Sequence, residues 1–235
     1  MADFGALAQA YDKFVIFDTE TTGLDFQRDE IIEFSAVVLE KQGTQIVVTR
    51  EYDNLVTLSP GNTVPPKITE LTGISTQDIL DRGVAKAQVC RDIAEMFAGN
   101  TLLLAYNAHF DLSFLFYMLL RDGDITILKG KDKLDLLTVY KDRKPYPHRL
   151  FNAIEAYGLT GKVVNSHRAI DDVLATVAVM ESMVAEQDDL SHYVNLFGYN
   201  PKYGIDGKPI GSVKYKPQGF HKANAHVIVK LYDEL

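Results

Sequence analysis

The run Phe14-Val15-Ile16-Phe17, ending abruptly in Asp18, constrains this chain more than any other stretch. Aromatic and β-branched residues without polar alternation, too few for a helix, suit a buried central strand. Thr101-Leu-Leu-Leu-Ala-Tyr106 reads the same way. Residues 31–39 and 45–56 read as two more strands, joined closely enough to the first to expect an antiparallel meander. A loop with Pro60, Gly61, Pro65 and Pro66 then changes the period. Val89, Ile93, Met96 and Phe97 lie on one face of a helix over 87–98, stopped at Gly99. Residues 112–120 are almost wholly apolar and belong to a helix inside the domain. A short strand over 134–137 and helices over 150–157 and 170–184 follow, the last with Val173, Leu174, Val177 and Val184 on its apolar stripe. Strands first, then alternating helix and strand, define an α/β domain.

With 235 residues and 46% apolar side chains the chain has enough material for one sizeable core. Its single cysteine, Cys90, falls inside a helix and reads as a buried thiol without chemistry. One cysteine makes no disulfide framework, and neither a signal-peptide pattern nor an apolar run of about 18 residues is found. The expectation is a cytoplasmic protein with no membrane association. Charge is uneven: residues 201–235 hold six lysines against three acids, which leaves the first 200 residues with 18 basic and 29 acidic side chains. Such a body repels a polyanion unless its carboxylates are gathered where metal ions sit.

Asp18 and Glu20 stand at the C-terminal end of the first strand, where open α/β sheets place ligands, and the period of two points them to one side. Paired carboxylates beside an apolar strand call for a cation, and oxygen ligands suit Mg²⁺ or Mn²⁺. Asp111 follows the second buried strand, with Asn107 and His109 just before it; it reads either as a helix cap or as a ligand. Asp172 lies near the start of the last long helix, either solvated there or ligating. His167 and Asp172 are rotated by about 140 degrees on an ideal helix, so they converge only if His167 lies in the preceding loop. There a histidine is well placed to take a proton from water.

In combination, Asp18-Thr-Glu20-Thr-Thr-Gly23-Leu24, Asn107-Ala-His-Phe-Asp111 and His167-Arg-Ala with Asp172 resemble the three motifs of the DEDDh, or DnaQ-like, 3′-to-5′ exonucleases, with the proofreading exonucleases of bacterial DNA polymerase III as the nearest likeness. Ile31-Ile-Glu33, Thr69-Glu-Leu-Thr-Gly-Ile74 and Asp135-Leu-Leu137 support it, and together these cover residues 13 to 185. Where the family often has alanine after the last acid, this chain has Val173. The resemblance implies a ribonuclease H-like fold, with a mixed five-stranded sheet flanked by helices. It also implies release of nucleoside 5′-monophosphates with two Mg²⁺ or Mn²⁺ ions per site. Asp18, Glu20, Asp111 and Asp172 would be the ligands, with His167 the base. Asp171 is a rival to Asp172 that helix phase does not exclude; motif spacing selects Asp172. Thr19, Gly23, Leu24, Asn107 and Phe110 would meet the substrate, against the plainer reading of Leu24 and Phe110 as core.

The implied partner is nucleic acid with a single-stranded or frayed 3′ end, alongside a DNA polymerase. An RNA exonuclease of the same fold and a non-catalytic scaffold are the alternatives; intact acids weigh against the scaffold. Residues 1–198 form the exonuclease domain and 199–235 a C-terminal arm of Lys, Tyr and Gly. Its lysines and interleaved aromatics suit either a grip on single strands or docking on the acidic body or on another copy of the chain.

Overall fold

The computed structural model describes residues 4–43 and 45–196. The C-terminal arm expected over 199–235 lies outside the described residues. Strands β1 (Lys13–Thr21), β2 (Ile31–Gln42), β3 (Gln45–Leu55), β4 (Thr101–Ala105) and β5 (Asp132–Asp135) form one sheet in the order β3-β2-β1-β4-β5. The first three are the antiparallel meander that the sequence predicts, whereas β4 and β5 run parallel to β1. Among the described residues eight α-helices accompany them: α1 (Leu7–Ala10), α2 (Pro66–Thr72), α3 (Thr76–Arg82), α4 (Lys86–Phe97), α5 (Ala108–Asp122), α6 (Leu136–Arg143), α7 (Leu150–Ala156) and α8 (Ala169–Glu186).

Strand β1 has to be apolar because both its faces are covered. Val15 and Phe17 pack with Val89, Ile93 and Phe97 of α4 and with Phe114 and Leu115 of α5. Phe14 and Ile16 point the other way, into a core shared with Val173, Val179, Met180 and Met183 of α8. Each large side chain so buried contributes about 1.5–3 kcal/mol. The same alternation carries Asp18 and Glu20 to the α8 side and Thr19 to the α5 side.

Three expectations need correction. The stripe of α8 omits Leu174, which is 43% exposed; buried Ala169 and Ala175 let the helix sit close on the sheet and turn Thr176, Val179, Met180 and Met183 inward instead. Strand β5 ends at Asp135, where the polypeptide turns at once into α6, because the Asp135 side chain accepts the Leu137 N–H as an N-cap. Helix α5 starts at Ala108, so Asp111 lies inside its first turn and is no cap. Helices α2 and α3 fall where hydrophobic periodicity gives no signal, but their ends are written in the sequence: Pro66 opens α2, Gly73 closes it at φ 73°, and Ser75 with Asp78 forms a capping box for α3.

Candidate active site

Carboxylate oxygens of Asp18, Glu20 and Asp172 lie within 4.8 Å of one another. Strand β1 supplies the first two and the opening turn of α8 the third. Asp111 arrives from the opposite face of the sheet. It is 2% exposed, and its Oδ1 accepts both the backbone N–H of Thr19 at 3.0 Å and the Thr19 hydroxyl at 2.7 Å. The residue between the two strand acids thus seats the acid on α5.

Helix α5 is itself held by a buried carboxylate. Asp135 Oδ1 accepts the N–H groups of Asn107 (2.9 Å), Ala108 (3.2 Å) and Leu137 (3.1 Å), and its Oδ2 accepts the Thr138 hydroxyl at 2.7 Å. Asn107 takes the left-handed conformation at φ 72°, which asparagine tolerates better than most residues.

The acids raise one another's proton affinity. Burial pushes the Asp18 carboxyl well above the usual carboxylate range, and Asp111, Asp172, Glu20 and Glu33 add to the shift. Glu20 is pushed up to about 8, by burial and then by Asp172, Glu33 and Asp111, with Arg168 opposing. Burial raises Asp111 to about 7 against its Thr19 hydrogen bonds. Asp172 is raised by burial and held back by Asn165 and His167. Several carboxylates with unmet mutual repulsion and oxygen-only donors fit a hard divalent cation such as Mg²⁺ or Mn²⁺.

His167 lies in the loop before α8, exposed and left-handed at φ 58°. The loop is clasped on both sides. Ser166 donates its hydroxyl to Asp171, and the Asn165 amide donates to Asp172. On the other side Arg168 donates through Nε to both oxygens of Glu33 at 3.0 and 3.2 Å, and the Ala169 N–H donates to Glu33 at 2.9 Å.

Leu24 is 73% exposed, which rejects core packing for it. Phe110 is half-buried against the core, its ring 4.9 Å from that of Phe114. Thr19 is buried with both donors engaged by Asp111, so its side chain orients an acid instead of facing a cleft. At Gly23 the close approach is internal: a Cβ there would come within 2.3 Å of the Asp29 carboxylate, which accepts the Asp25 N–H and the Thr22 hydroxyl. Phe26 anchors the same loop against Phe114 and Tyr117 of α5. Asn107 is exposed.

Residues 15–180 match the RNase T family, described as an exonuclease. The chain belongs to that family. Within this exonuclease family the DnaQ-like likeness holds up against named relatives. The chain is 34% identical to a PolC-type DNA polymerase III of Clostridium perfringens over 202 residues, 85% of this chain and 13% of that protein. It is 29% identical to the DNA polymerase III subunit epsilon of Treponema pallidum, over 73% of this chain and 76% of that one. The chain therefore spans only about an eighth of the PolC-type relative. Among solved structures, Escherichia coli exonuclease I in complex with a dA16 oligonucleotide superposes with a TM-score of 0.67 at 22% identity, over 76% of this chain and 42% of that one. The last likeness shows the ribonuclease H-like fold. Among the described residues no helix is long and apolar enough to cross a membrane.

The sequence alone assigns no role to Asp29 or Arg168, and Glu33 and Asp135 enter it only within supporting matches. One signal was available: an acid inside the apolar run Ile31-Ile-Glu33-Phe34 needs a buried partner.

Proposed function

We propose that the chain is a divalent-metal-dependent 3′-to-5′ exonuclease that removes nucleoside 5′-monophosphates from single-stranded or frayed DNA ends. The observation that carries this reading is the convergence of Asp18, Glu20 and Asp172 within 4.8 Å, on a chain of the exonuclease family. Asp18, Glu20, Asp111 and Asp172 would hold the Mg²⁺ or Mn²⁺ ions, two in this reading. Bound divalent ions in such a pair lower the pKa of water and neutralise charge on the attacking and departing oxygens.

The rest is the work of the chain. Thr19 engages Oδ1 of Asp111 twice and so fixes the orientation of that carboxylate. His167, on its exposed loop, accepts the proton of the attacking water through an imidazole nitrogen, a role worth roughly 10² to 10⁴ in rate. That water forms the new bond to phosphorus, the bond from phosphorus to the 3′-oxygen breaks, and the departing 3′-oxyanion takes a proton from solvent water to become a 3′-hydroxyl, while His167 returns its proton to solvent. Leu24 and Phe110 offer apolar surface on which terminal bases of any sequence can rest. The names of the relatives support a DNA polymerase as a working partner.

The test is digestion of 5′-labelled DNA and RNA oligonucleotides of one sequence, with Mg²⁺ and with excess chelator. The expected result is a ladder shortening from the 3′ end of DNA, with nucleoside 5′-monophosphates released and no cleavage in chelator. Preferential loss of RNA would replace the substrate. Internal cuts, or full activity in chelator, would overturn the reading.

A further inference from the structure

Glu33 stands opposite Glu20 in the β1–β2 register and is 0% exposed. A carboxylate so placed is costly unless it is paired. Its partner comes from far along the chain. Arg168 reaches both Glu33 oxygens through Nε and donates again through Nη2, and the Ala169 N–H donates to Oε2. Arg168 is the N-cap of α8 with extended backbone, φ −114° and ψ 130°, and it makes no side-chain cap bond. A strand carboxylate therefore supplies the cap that the helix lacks locally.

We infer that the Glu33–Arg168 pair is a positioning device that holds His167 in its working conformation; the inference rests on the exonuclease reading. His167 sits between this pair and the Ser166–Asp171 clasp, at φ 58°. A non-glycine residue keeps that backbone only where its surroundings over-determine it. Asp172 has anchors of its own: the Asn165 amide, the Ser166 N–H and the buried Val173 next to it. Loss of the pair therefore frees the histidine and leaves the acids in place.

Glu33→Gln keeps the side-chain shape and an acceptor for Ala169 while removing the charge; Arg168→Lys keeps a charge and loses the fork. Each is measured alone and combined with His167→Ala, on 5′-labelled single-stranded DNA with Mg²⁺. Calorimetric Mn²⁺ affinity and the imidazole NMR signals of His167 are recorded beside turnover. The expected result is a kcat lowered about 10- to 100-fold in both variants, with KM unchanged, Mn²⁺ affinity unchanged in the charge-keeping Arg168→Lys, the His167 signals shifted or broadened, and no further loss in the His167→Ala background. A full additional loss in that background, a raised KM with unchanged kcat, weakened Mn²⁺ binding in Arg168→Lys, or unmoved His167 signals would overturn the inference. Wild-type protein inactive on DNA and RNA would instead reject the exonuclease reading, and the His167 signals would still decide the role of the pair.

Discussion

At Glu20 and Asp111 the folded protein holds protons that an unfolded chain would release. Glu20 is raised from 4.5 to about 8 and Asp111 from 3.8 to about 7, so between about pH 4 and pH 8 the native state binds more protons than the unfolded one. Stability of the metal-free protein must then fall as pH rises through that window. Thermal melts in chelator from pH 5 to pH 8 should show the decline, Asp18→Ala should flatten it by removing a buried carboxyl that is itself raised, and Mg²⁺ should abolish it. A melting temperature rising with pH in chelator would reject the electrostatic account. The adjacent acids separate at the same scale. Asp172→Asn should lower turnover by orders of magnitude. Asp171→Asn should do little, because an amide oxygen still accepts the Ser166 hydroxyl. Kinetics of the two variants in the reverse order would move the metal site to Asp171.

Between elements, the site depends on side chains that bridge a strand and a helix. Asp135 is the clearest case: Asp135→Ala leaves the buried Ala108 N–H and the Thr138 hydroxyl without their acceptor. A loss of roughly 3 kcal/mol is expected. At about 2–4 °C per kcal/mol this lowers the melting temperature by roughly 6–12 °C. Turnover should fall as well, since α5 carries Asp111. An unchanged melting temperature would show that the turn at Asn107 stands without this support. The same bridges mark the limit of what sequence discloses. The strand of Phe14–Phe17 and the pairing of Asp18 with Glu20 are legible because apolar runs and side-chain parity are local properties; Asp111 and Asp172 are singled out only through the family resemblance. The phase of α8 is not legible, because close packing of Ala169 and Ala175 decides it and Leu174 is apolar enough to mislead. Thr19 could be placed beside two acids, but that its hydroxyl serves a third, 92 residues away, follows only from the sheet that brings α5 alongside β1.

For the molecule as a whole the problem is charge. The first 200 residues carry 29 acids against 18 basic side chains, which slows encounter with a polyanion, and the lysines beyond residue 200 are the natural compensation. Truncation after Gly198 should raise KM on long single strands and flatten its salt dependence, while leaving hydrolysis of a dinucleotide unchanged, if those lysines grip substrate. Unaltered kinetics with a lower melting temperature or a changed oligomer size would favour docking instead. The trans-strand cap on α8 has another consequence. The Ala169 amide bonds to a carboxylate 136 residues earlier, so it is shielded from solvent only while β2 and α8 are mated. Its hydrogen-exchange rate then reports, without substrate or metal, what fraction of molecules have the two halves of the catalytic centre assembled.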